Sequence, residues 1–483
     1  MNNRDNKPNI LVFLTDQQRF DSLGCNGNFV IKTPNIDSLA QTGLNFQNAY
    51  VCQPLCVPQR CSMITGLYPS VHGNTDNGVP LSKNFPVYPE LLRKSGYQTF
   101  ASGKMHFAPI SRGFDMPVYE PGEIPQKYPY YGFEKINFVE GEKSQYLKMI
   151  KKKRPDLWKS ANHYPTSYKS DMPFQTYSSP IPEELHRSTW TADNSIKFLE
   201  KRNKNKPFLL HCSFWDPHHP FDPPVPYDKM YDPKDIPNPI FMDEKEFKNL
   251  PKHFLKTYKT EYTIKTGIGR YKSFQKHTIN DWKKMIAHYY GMISLIDKNV
   301  GRVINYLKEN QLLENTAIFF VSDHGELLGD HGLATKGPFY YESLIKVPFI
   351  FSYPKKFSKA KKVDSLIMSY DIMPTICDLA KISKPKITAK SLIPLLSGDE
   401  NPRDAIMVEG FNKFQNRTVI YNGCKMNFYP TTNEGEIYNL IDDSMETNNL
   451  WNKDFKLRDM LMQKLVSLMI EAEKPRENAI GIW

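Results

Sequence analysis

A short motif around one cysteine is the strongest chemical signal in this 483-residue chain. Cys56 stands two residues before Pro58 and four before Arg60, and Thr65-Gly66 follows. A cysteine in such a setting is a candidate for covalent catalysis, which divides one difficult step into two easier ones. Because C-x-P-x-R is short and arises often by chance, other residues of the chain must supply its context.

Two polar pairs follow short apolar runs and are candidate metal ligands. Asp16-Gln17 ends the first run, and Asp323-His324 ends a later one. The ends of two strands in one parallel sheet can converge on a single ion. Two carboxylates and an amide oxygen suit calcium or magnesium, whereas an imidazole also suits manganese or zinc, so the residues leave the ion open. We expect Arg60 to pair with these carboxylates or with the reactive end of the cysteine.

Lysines and histidines in further loops could act on an anionic substrate. Lys104 can hold an anionic oxygen as a point charge, and His106 can position or deprotonate a hydroxyl group. His218 belongs to a Pro-His-His-Pro string that aims it rigidly, so it could protonate a leaving alcohol, and we interpret His219 as structural. Lys336, before a glycine, would supply a second cation.

Hydrolysis by a metal-activated water is a competing reaction class. The chain has no H-E-x-x-H string or other zinc-hydrolase signature. Its nearest match is the D-H-G-E string at 323–326, followed by D-H-G at 330–332. This arrangement fits a phosphatase-like metal loop better.

The apolar pattern indicates which elements position these residues. Four short apolar runs predict buried strands at 10–14, 208–211, 317–321 and 347–351. Helical spacing predicts helices at 185–202 and 281–308. Strands that alternate with helices indicate an α/β fold with a mostly parallel sheet, whose ligands bind beyond the carboxyl ends of the strands.

Length and changes of pattern predict a large α/β catalytic domain over 1–385 and a smaller α+β subdomain over 386–483. Within the smaller unit, short strands joined by tight turns and a final helix are expected at 418–421, 425–429, 436–440 and 455–473. The segments 108–183 and 222–280 lack periodicity. We interpret them as loops that line a pocket rather than as disorder.

Composition restricts the partners and the compartment. The net charge of +11 fits an anionic ligand, or a lysine-rich solvated surface. Seven cysteines, an odd number in a long chain, do not indicate a disulfide framework. We expect neither nucleic acid nor a membrane as partner, since no apolar run reaches 18 residues. Residues 1–8 lack a signal-peptide core, so we expect a cytoplasmic protein, or a periplasmic one if a leader was removed.

Together these motifs resemble the type I, formylglycine-dependent sulfatases of the alkaline phosphatase superfamily. The matching segments are 8–16, 33–37, 48–50, 56–66, 103–106, 217–220, 322–332, 336–337, 347–348, 436–440 and 449–450. The resemblance covers nearly the whole chain. It implies a large alkaline-phosphatase-like mixed sheet flanked by helices, with a smaller C-terminal subdomain of antiparallel sheet plus helix.

The resemblance also implies a mechanism. A maturing enzyme would oxidise Cys56 to formylglycine, an aldehyde whose hydrate carries two hydroxyl groups. One hydroxyl attacks sulfur and displaces the alcohol, and the other expels sulfate as the aldehyde forms again. The implied metal ligands are Asp16, Gln17, Cys56, Asp323 and His324, with calcium expected and magnesium or manganese as alternatives. The residues implied to serve the nucleophile and the sulfate are Arg60, Lys104, His106, His218 and Lys336.

The chain departs from the family pattern at several positions. Most members carry Asp where Gln17 stands, many carry Asn where His324 stands, and Gln59 replaces a small residue. Gln17, His324 and the string at 103–107 are similar to the choline-sulfatase and phosphonate monoester hydrolase branch. We expect hydrolysis of sulfate monoesters, on a sulfated carbohydrate. The alternative is a phosphonate monoester or phosphodiester hydrolase, or a choline-sulfatase-like enzyme, using the same site.

A third hypothesis belongs to another class: a catalytically silent protein that binds sulfated glycans through a basic pocket. The presence of every expected catalytic residue argues against it. The sequence leaves the oligomeric state open.

Overall fold

The computed structural model describes residues 7–108, 129–141, 144–162, 173–240, 246–260, 262–263, 270–271, 274–357, 360–396 and 403–473. The strands are β1 (Asn9–Thr15), β2 (Leu44–Tyr50), β3 (Gln98–Gly103), β4 (Lys135–Phe138), β5 (Phe208–Ser213), β6 (Tyr262–Thr263), β7 (Arg270–Tyr271), β8 (Thr316–Ser322), β9 (Phe349–Ser352), β10 (Lys361–Met368), β11 (Ala405–Glu409), β12 (Arg417–Tyr421), β13 (Cys424–Tyr429) and β14 (Glu434–Asn439). The helices are α1 (Pro34–Gln41), α2 (Cys56–Thr65), α3 (Pro69–His72), α4 (Tyr88–Lys94), α5 (Gln145–Lys153), α6 (Trp158–Asn162), α7 (Arg187–Lys201), α8 (Lys252–Lys259), α9 (Ile279–Glu309), α10 (Glu342–Ile345), α11 (Ile372–Ala380), α12 (Ile393–Leu396) and α13 (Phe455–Glu473).

A large mixed sheet forms the centre of the molecule, in the order β10-β2-β9-β8-β1-β5-β3-β4. Its neighbouring strands run parallel except around β9, which is antiparallel to both β2 and β8. Every residue of β5 and β8 is buried, as expected for strands covered on both faces. The prediction of a mostly parallel sheet is therefore confirmed, with one reversed strand.

Helices flank this sheet in two groups. The 31-residue helix α9 packs against α1 and α7. Its start is fixed by a capping box, because Thr278 accepts from the Asp281 backbone and the Asp281 carboxylate accepts in return. A second group consists of α2, α4 and α11. Helices predicted at 185–202 and 281–308 correspond to α7 and α9.

A small antiparallel sheet, β11-β12-β13-β14, follows along the chain, and α13 packs against β11 and β12. The three strands and the helix predicted here are confirmed, and β11 was not predicted. Lys425 of β13 joins this sheet to the large domain. Its ammonium group donates to the Tyr340 carbonyl at 2.8 Å and pairs with Glu446.

The segments predicted to be irregular are partly regular. In the first, β4 pairs in parallel with β3 and completes one edge of the large sheet, and α5 follows. Parts of both segments lie outside the described residues, namely 109–128, 142–143, 163–172, 241–245, 261, 264–269 and 272–273. Their role in lining a pocket stays a prediction, as does the boundary at 385/386. Among the described helices, none is both long and apolar enough to cross a bilayer.

Candidate active site

The site lies at the carboxyl edge of the large sheet, where four neighbouring strands end. β1 and β8 pair in register as far as Thr15 and Ser322, so Asp16 and Asp323 emerge side by side. The adjacent strands β5 and β3 deliver the loops that carry His218 and Lys104. The sequence predicted this convergence from the polar residues that follow each apolar run.

Gly103 shows why the end of β3 needs glycine. Its φ is +104°, and an added Cβ would lie 1.7 Å from the Ser213 carbonyl oxygen. That carbonyl accepts a hydrogen bond from the Lys104 backbone at 2.9 Å. The close approach of the two strands therefore fixes where the Lys104 side chain begins.

Cys56 is the first residue of α2 and is 1% exposed. Its Sγ lies 3.2 Å from His324 Nε2, 3.8 Å from Asp16 Oδ1 and 3.9 Å from Lys104 Nζ. Burial and Asp16 raise the pKa of the thiol, but Lys104, Lys336 and His324 outweigh them and bring it below its ordinary value. The predicted nucleophile thus stands among the predicted metal ligands, in an electropositive pocket.

Arg60 lies one helical turn after the cysteine and faces the same cluster. Its Nε donates to Asp323 Oδ2 at 2.7 Å, and its Nη2 donates to Asp16 Oδ2 at 3.1 Å. Its Nη1 donates to the Lys104 carbonyl at 2.8 Å and to Ser213 Oγ at 3.0 Å. Of the two partners expected for Arg60, the structure places it on the carboxylates.

Four buried residues, Asp16, Cys56, Asp323 and His324, each offer one ligand atom, and these atoms lie within 4.8 Å of one another. Burial alone would raise the pKa of Asp16, but Lys104, His218 and Arg60 hold it well below its ordinary value, so the carboxylate is ionised. Two carboxylates fit a hard divalent cation. A thiol does not suit such an ion, so Cys56 Sγ marks the place of an oxygen that oxidation of this residue would supply.

Gln17 lies beside this cluster with its amide fixed at both ends. Its Oε1 accepts from Lys336 Nζ at 2.7 Å, while its Nε2 donates to Glu326 and, at 3.1 Å, to His219 Nδ1. Its backbone N–H donates to Asp323 Oδ1 at 3.0 Å. Gln17 is thus next to the predicted metal ligands, with its amide oxygen turned to the predicted second cation.

The histidine loop approaches the cluster from β5. The two rings stack with their centroids 4.0 Å apart, and His218 Nδ1 donates to the His219 carbonyl at 2.5 Å. Burial, followed by Lys336, holds the pKa of His218 well below its ordinary value. His219 accepts from Gln17 and so contacts the site, and its structural role stays a prediction.

Two acidic residues of the site were not predicted. Glu140 Oε1 accepts from the backbone N–H groups of Met105 and His106, at 3.1 and 2.9 Å, and so shapes the loop that carries His106. Glu326 holds Gln17 and also accepts from the Leu328 backbone at 3.1 Å. Glu140 lies just after β4, in the segment taken as irregular. Glu326 is the last residue of the D-H-G-E string at 323–326, which is the signal that marks its place near the metal ligands.

Comparison with known proteins identifies the family. Residues 8–382 match the Sulfatase family, and residues 329–473 match the family described as N-sulphoglucosamine sulphohydrolase, C-terminal. An arylsulfatase of Clostridium perfringens is 32% identical, over 97% of this chain and 95% of that protein. An N-acetylglucosamine-6-O-sulfatase of Bacteroides thetaiotaomicron is 25% identical, over 97% and 86%. The solved phosphonate monoester hydrolase of Agrobacterium radiobacter superposes with a TM-score of 0.82, at 25% identity, over 96% of each chain.

The fold and the site therefore define a hydrolase of the alkaline phosphatase superfamily. The chain belongs to the sulfatase family and is a sulfuric ester hydrolase. Membership of this family implies a bound metal and a formylglycine, and the buried Asp, His and Cys cluster fits both.

Proposed function

We propose that the protein hydrolyses sulfate monoesters of a carbohydrate, with a formylglycine made from Cys56 as the nucleophile. The observation that carries the proposal is the position of Cys56 Sγ, 3.2 Å from His324 Nε2 and 3.8 Å from Asp16 Oδ1. The sulfated-sugar part is supported by the relative named N-acetylglucosamine-6-O-sulfatase. A maturing enzyme that oxidises Cys56 is the partner this proposal requires.

Cations around the cysteine would bind the sulfate group. Lys104 Nζ is 3.9 Å from Cys56 Sγ and pairs with Asp16, so it can turn from that carboxylate to a sulfate oxygen without leaving the pocket. Lys336, held by Gln17 Oε1, would contact the sulfate from the other side of the cluster. In this low-dielectric site such cations stabilise the charge that develops as the ester bond breaks.

Histidines would handle the protons of the reaction. His218 has Nδ1 engaged with a carbonyl, so its Nε2 is the atom available to the departing alcohol oxygen. A bound sulfate ester adds negative charge, which favours the protonated form of a neighbouring imidazole. His106 is assigned to the hydroxyl groups of the nucleophile, because its loop runs directly from Lys104.

A divalent metal, for which we propose calcium, would be held by Asp16, Gln17, Asp323, His324 and the oxidised Cys56. When bound, the ion supplies Lewis-acid stabilisation of the charged oxygens. Arg60 pairs with both Asp16 and Asp323, so it fixes the two carboxylates and neutralises part of their charge. The two carboxylates favour calcium, while the Gln17 amide oxygen, which accepts from Lys336 in this structure, would have to turn to reach the ion.

A phosphonate monoester hydrolase using the same site is the second candidate. The phosphonate monoester hydrolase of Agrobacterium radiobacter shares the fold at a TM-score of 0.82, and the sulfatase relatives give sulfate esters more weight. Both substrate classes present a tetrahedral centre to one nucleophile.

Sulfate release from a panel of sulfated mono- and disaccharides, with an aryl phosphonate alongside, tests the proposal. The protein is co-expressed with a maturing enzyme, and mass spectrometry follows the oxidation of Cys56. Release from at least one sugar, absent in Cys56→Ala, supports the proposed function. Turnover of the phosphonate alone would move the protein to the second candidate. Binding of sulfated sugars without turnover, with Cys56 unmodified, would indicate a silent binding protein.

A further inference from the structure

A half-buried arginine outside the assigned site, Arg187, contacts both ends of the loop that carries the two histidines. Asp216 precedes this loop and Asp222 follows it, with His218 and His219 between them. Arg187 Nε donates to Asp216 Oδ1 at 2.6 Å, and its Nη2 donates to Asp222 Oδ1 at 2.5 Å. One guanidinium group therefore joins the two ends of the loop.

The contact of Arg187 with Asp216 and Asp222, which we call the bracket, is anchored in rigid structure. Arg187 is the first residue of α7, a helix that packs against β3, β5 and α9. The hydroxyl of Ser188, the next residue, donates to the second oxygen of Asp216. Asp216 is fully buried, and the side chain of Arg187 is 17% exposed. A planar fork of donors between two such carboxylates fixes both distance and orientation.

The same carboxylates do not form a second metal site. His186, Asp216 and Asp222 bring their ligand atoms within 4.8 Å of one another, which is the spacing of a cation site. The Arg187 guanidinium already bonds both carboxylates, so it takes the place that an ion would need. The two carboxylates therefore bind Arg187 rather than a metal ion. Their role must be sought in the histidine loop that they flank.

The bracket reaches the catalytic cluster by two backbone routes. The Asp216 carbonyl accepts from the backbone N–H of Asp16 at 3.3 Å, which connects the bracket to a proposed metal ligand. The chain then continues from Asp216 through Pro217 to His218. A shift of Asp216 would move the His218 ring directly along the chain, whereas the Asp16 carboxylate is also held in place by Arg60 and Lys104.

We propose that Arg187 is a positioning residue that sets His218 against the departing alcohol oxygen. This inference rests on the proposed function, in which His218 protonates that oxygen. Loosening the bracket should therefore slow the release of poor leaving groups selectively. Activated leaving groups, which depart without a proton, should be nearly unaffected.

The test compares two sulfate esters that differ in leaving group. 4-Nitrophenyl sulfate releases an activated phenolate, whereas a sugar O-sulfate releases an alcohol. Arg187→Lys keeps the charge and loses the fork, and Asp222→Asn weakens one arm only. For both variants we expect kcat on the sugar sulfate to fall by about 10-fold or more, within the range of general acid catalysis. On the nitrophenyl ester we expect a change below about 3-fold, with KM nearly constant for both esters.

Arg302→Gln is the matched control, because Arg302 of α9 pairs with Asp193 of α7, the helix that begins with Arg187, at 2.6 Å. It should leave both rates unchanged. Equal losses on the two esters, or no loss on either, in folded Arg187→Lys would overturn the inference. If the wild-type protein cleaves only phosphonates, the proposed function fails. The role of Arg187 is then tested with phosphonate monoesters that carry the same two leaving groups, the nitrophenolate and the sugar alcohol.

Discussion

Arg60 and Asp323 form an ion pair that is closed to solvent on both sides. Nε and Oδ2 are 2.7 Å apart, and neither side chain has any exposed surface. The same guanidinium also reaches Asp16 at 3.1 Å. Burying these charges is costly, and removing one partner leaves the others unpaired. A site that buries two carboxylates as metal ligands needs such a cation, because the arginine balances part of their negative charge.

Arg60→Ala should therefore destabilise the protein by about 3–5 kcal/mol, because two buried carboxylates lose their cation. The free energy of unfolding in urea measures the loss. Added calcium should recover part of it, since an ion can compensate the same carboxylates. The control is Arg93→Ala, whose pair with Glu90 is partly exposed and should cost under about 1 kcal/mol. Equal losses in the two variants would contradict this account.

Cys56→Ala should abolish turnover and leave the fold intact. The side chain is small and buried, so truncation should cost only about 1 kcal/mol of stability, whereas the nucleophile is lost completely. Sulfate release and circular dichroism measure the two effects. Cys61→Ala is the matched variant, because Cys61 is buried in the same helix and is not among the clustered ligand residues. It should keep activity, and an active Cys56→Ala protein would exclude the proposed nucleophile.

Removal of the metal should inactivate the enzyme and lower its unfolding midpoint. After chelation, Arg60 still pairs with Asp16 and Asp323, and Lys104 with Asp16, so the fold should persist at reduced stability. Calcium should restore activity best, followed by magnesium or manganese. In Asp323→Asn, added calcium should restore little activity and should raise the unfolding midpoint little. Restoration by zinc alone would argue against an oxygen-rich site.

The sequence predicted those parts of the site that local pattern controls. Asp16 and Asp323 end runs of buried residues, and Arg60 lies one helical turn from Cys56, so spacing alone places each of them. Glu140, by contrast, lies just after β4 and 34 residues from His106, whose backbone it contacts, and no local pattern marks such a contact. Glu326 and Arg187 were missed for the same reason, since both act through contacts distant in the chain.

The missed elements have a similar cause. β10 begins with two exposed lysines and buries only Val363, Ile367 and Met368, and β2 interrupts its apolar residues with polar ones, so neither has a long apolar run. The reversed direction of β9 was equally hidden, because an apolar run predicts a buried strand and carries no information about its direction. Order and direction come from packing, which only the folded chain specifies.

Acid should destabilise the fold through buried neutral histidines. Burial lowers the pKa of His211 to about 3, whereas an unfolded histidine titrates near 6.5. The unfolded chain thus binds more protons below pH 6.5, and stability is lost as the pH falls from there toward 3. At pH 5 this residue alone should cost about 2 kcal/mol relative to pH 7.5.

His211→Phe should remove that part of the pH dependence, whatever it does to stability at neutral pH. Urea unfolding at pH 5 and pH 7.5 measures the difference. Tyr88→Phe is the control, because it deletes only the hydroxyl that lies 3.2 Å from His211 Nδ1 and should keep the pH slope. An unchanged slope in His211→Phe would show that the ring is not held neutral.

Lys425 should stabilise the contact between the small sheet and the large domain in a pH-dependent way. Its ammonium group is fully buried and pairs with Glu446 and, at 3.5 Å, with Glu342. Burial raises the pKa of Glu446 to about 8, and the neighbouring Glu342 adds to this despite the lysine. Lys425→Met should therefore cost more at pH 9, where Glu446 of the wild-type protein is ionised and pairs with the lysine, than at pH 6, where Glu446 holds a proton.

The double variant Lys425→Met with Glu446→Gln separates the charge effect from the loss of packing. A neutral amide at 446 cannot repel Glu342, so the double variant should be more stable than Lys425→Met at pH 9 and nearly as stable at pH 6. Urea unfolding at the two pH values gives the comparison. A cost for Lys425→Met that is equal at both pH values would mean that the aliphatic stem of the lysine, rather than its charge, holds the two sheets together.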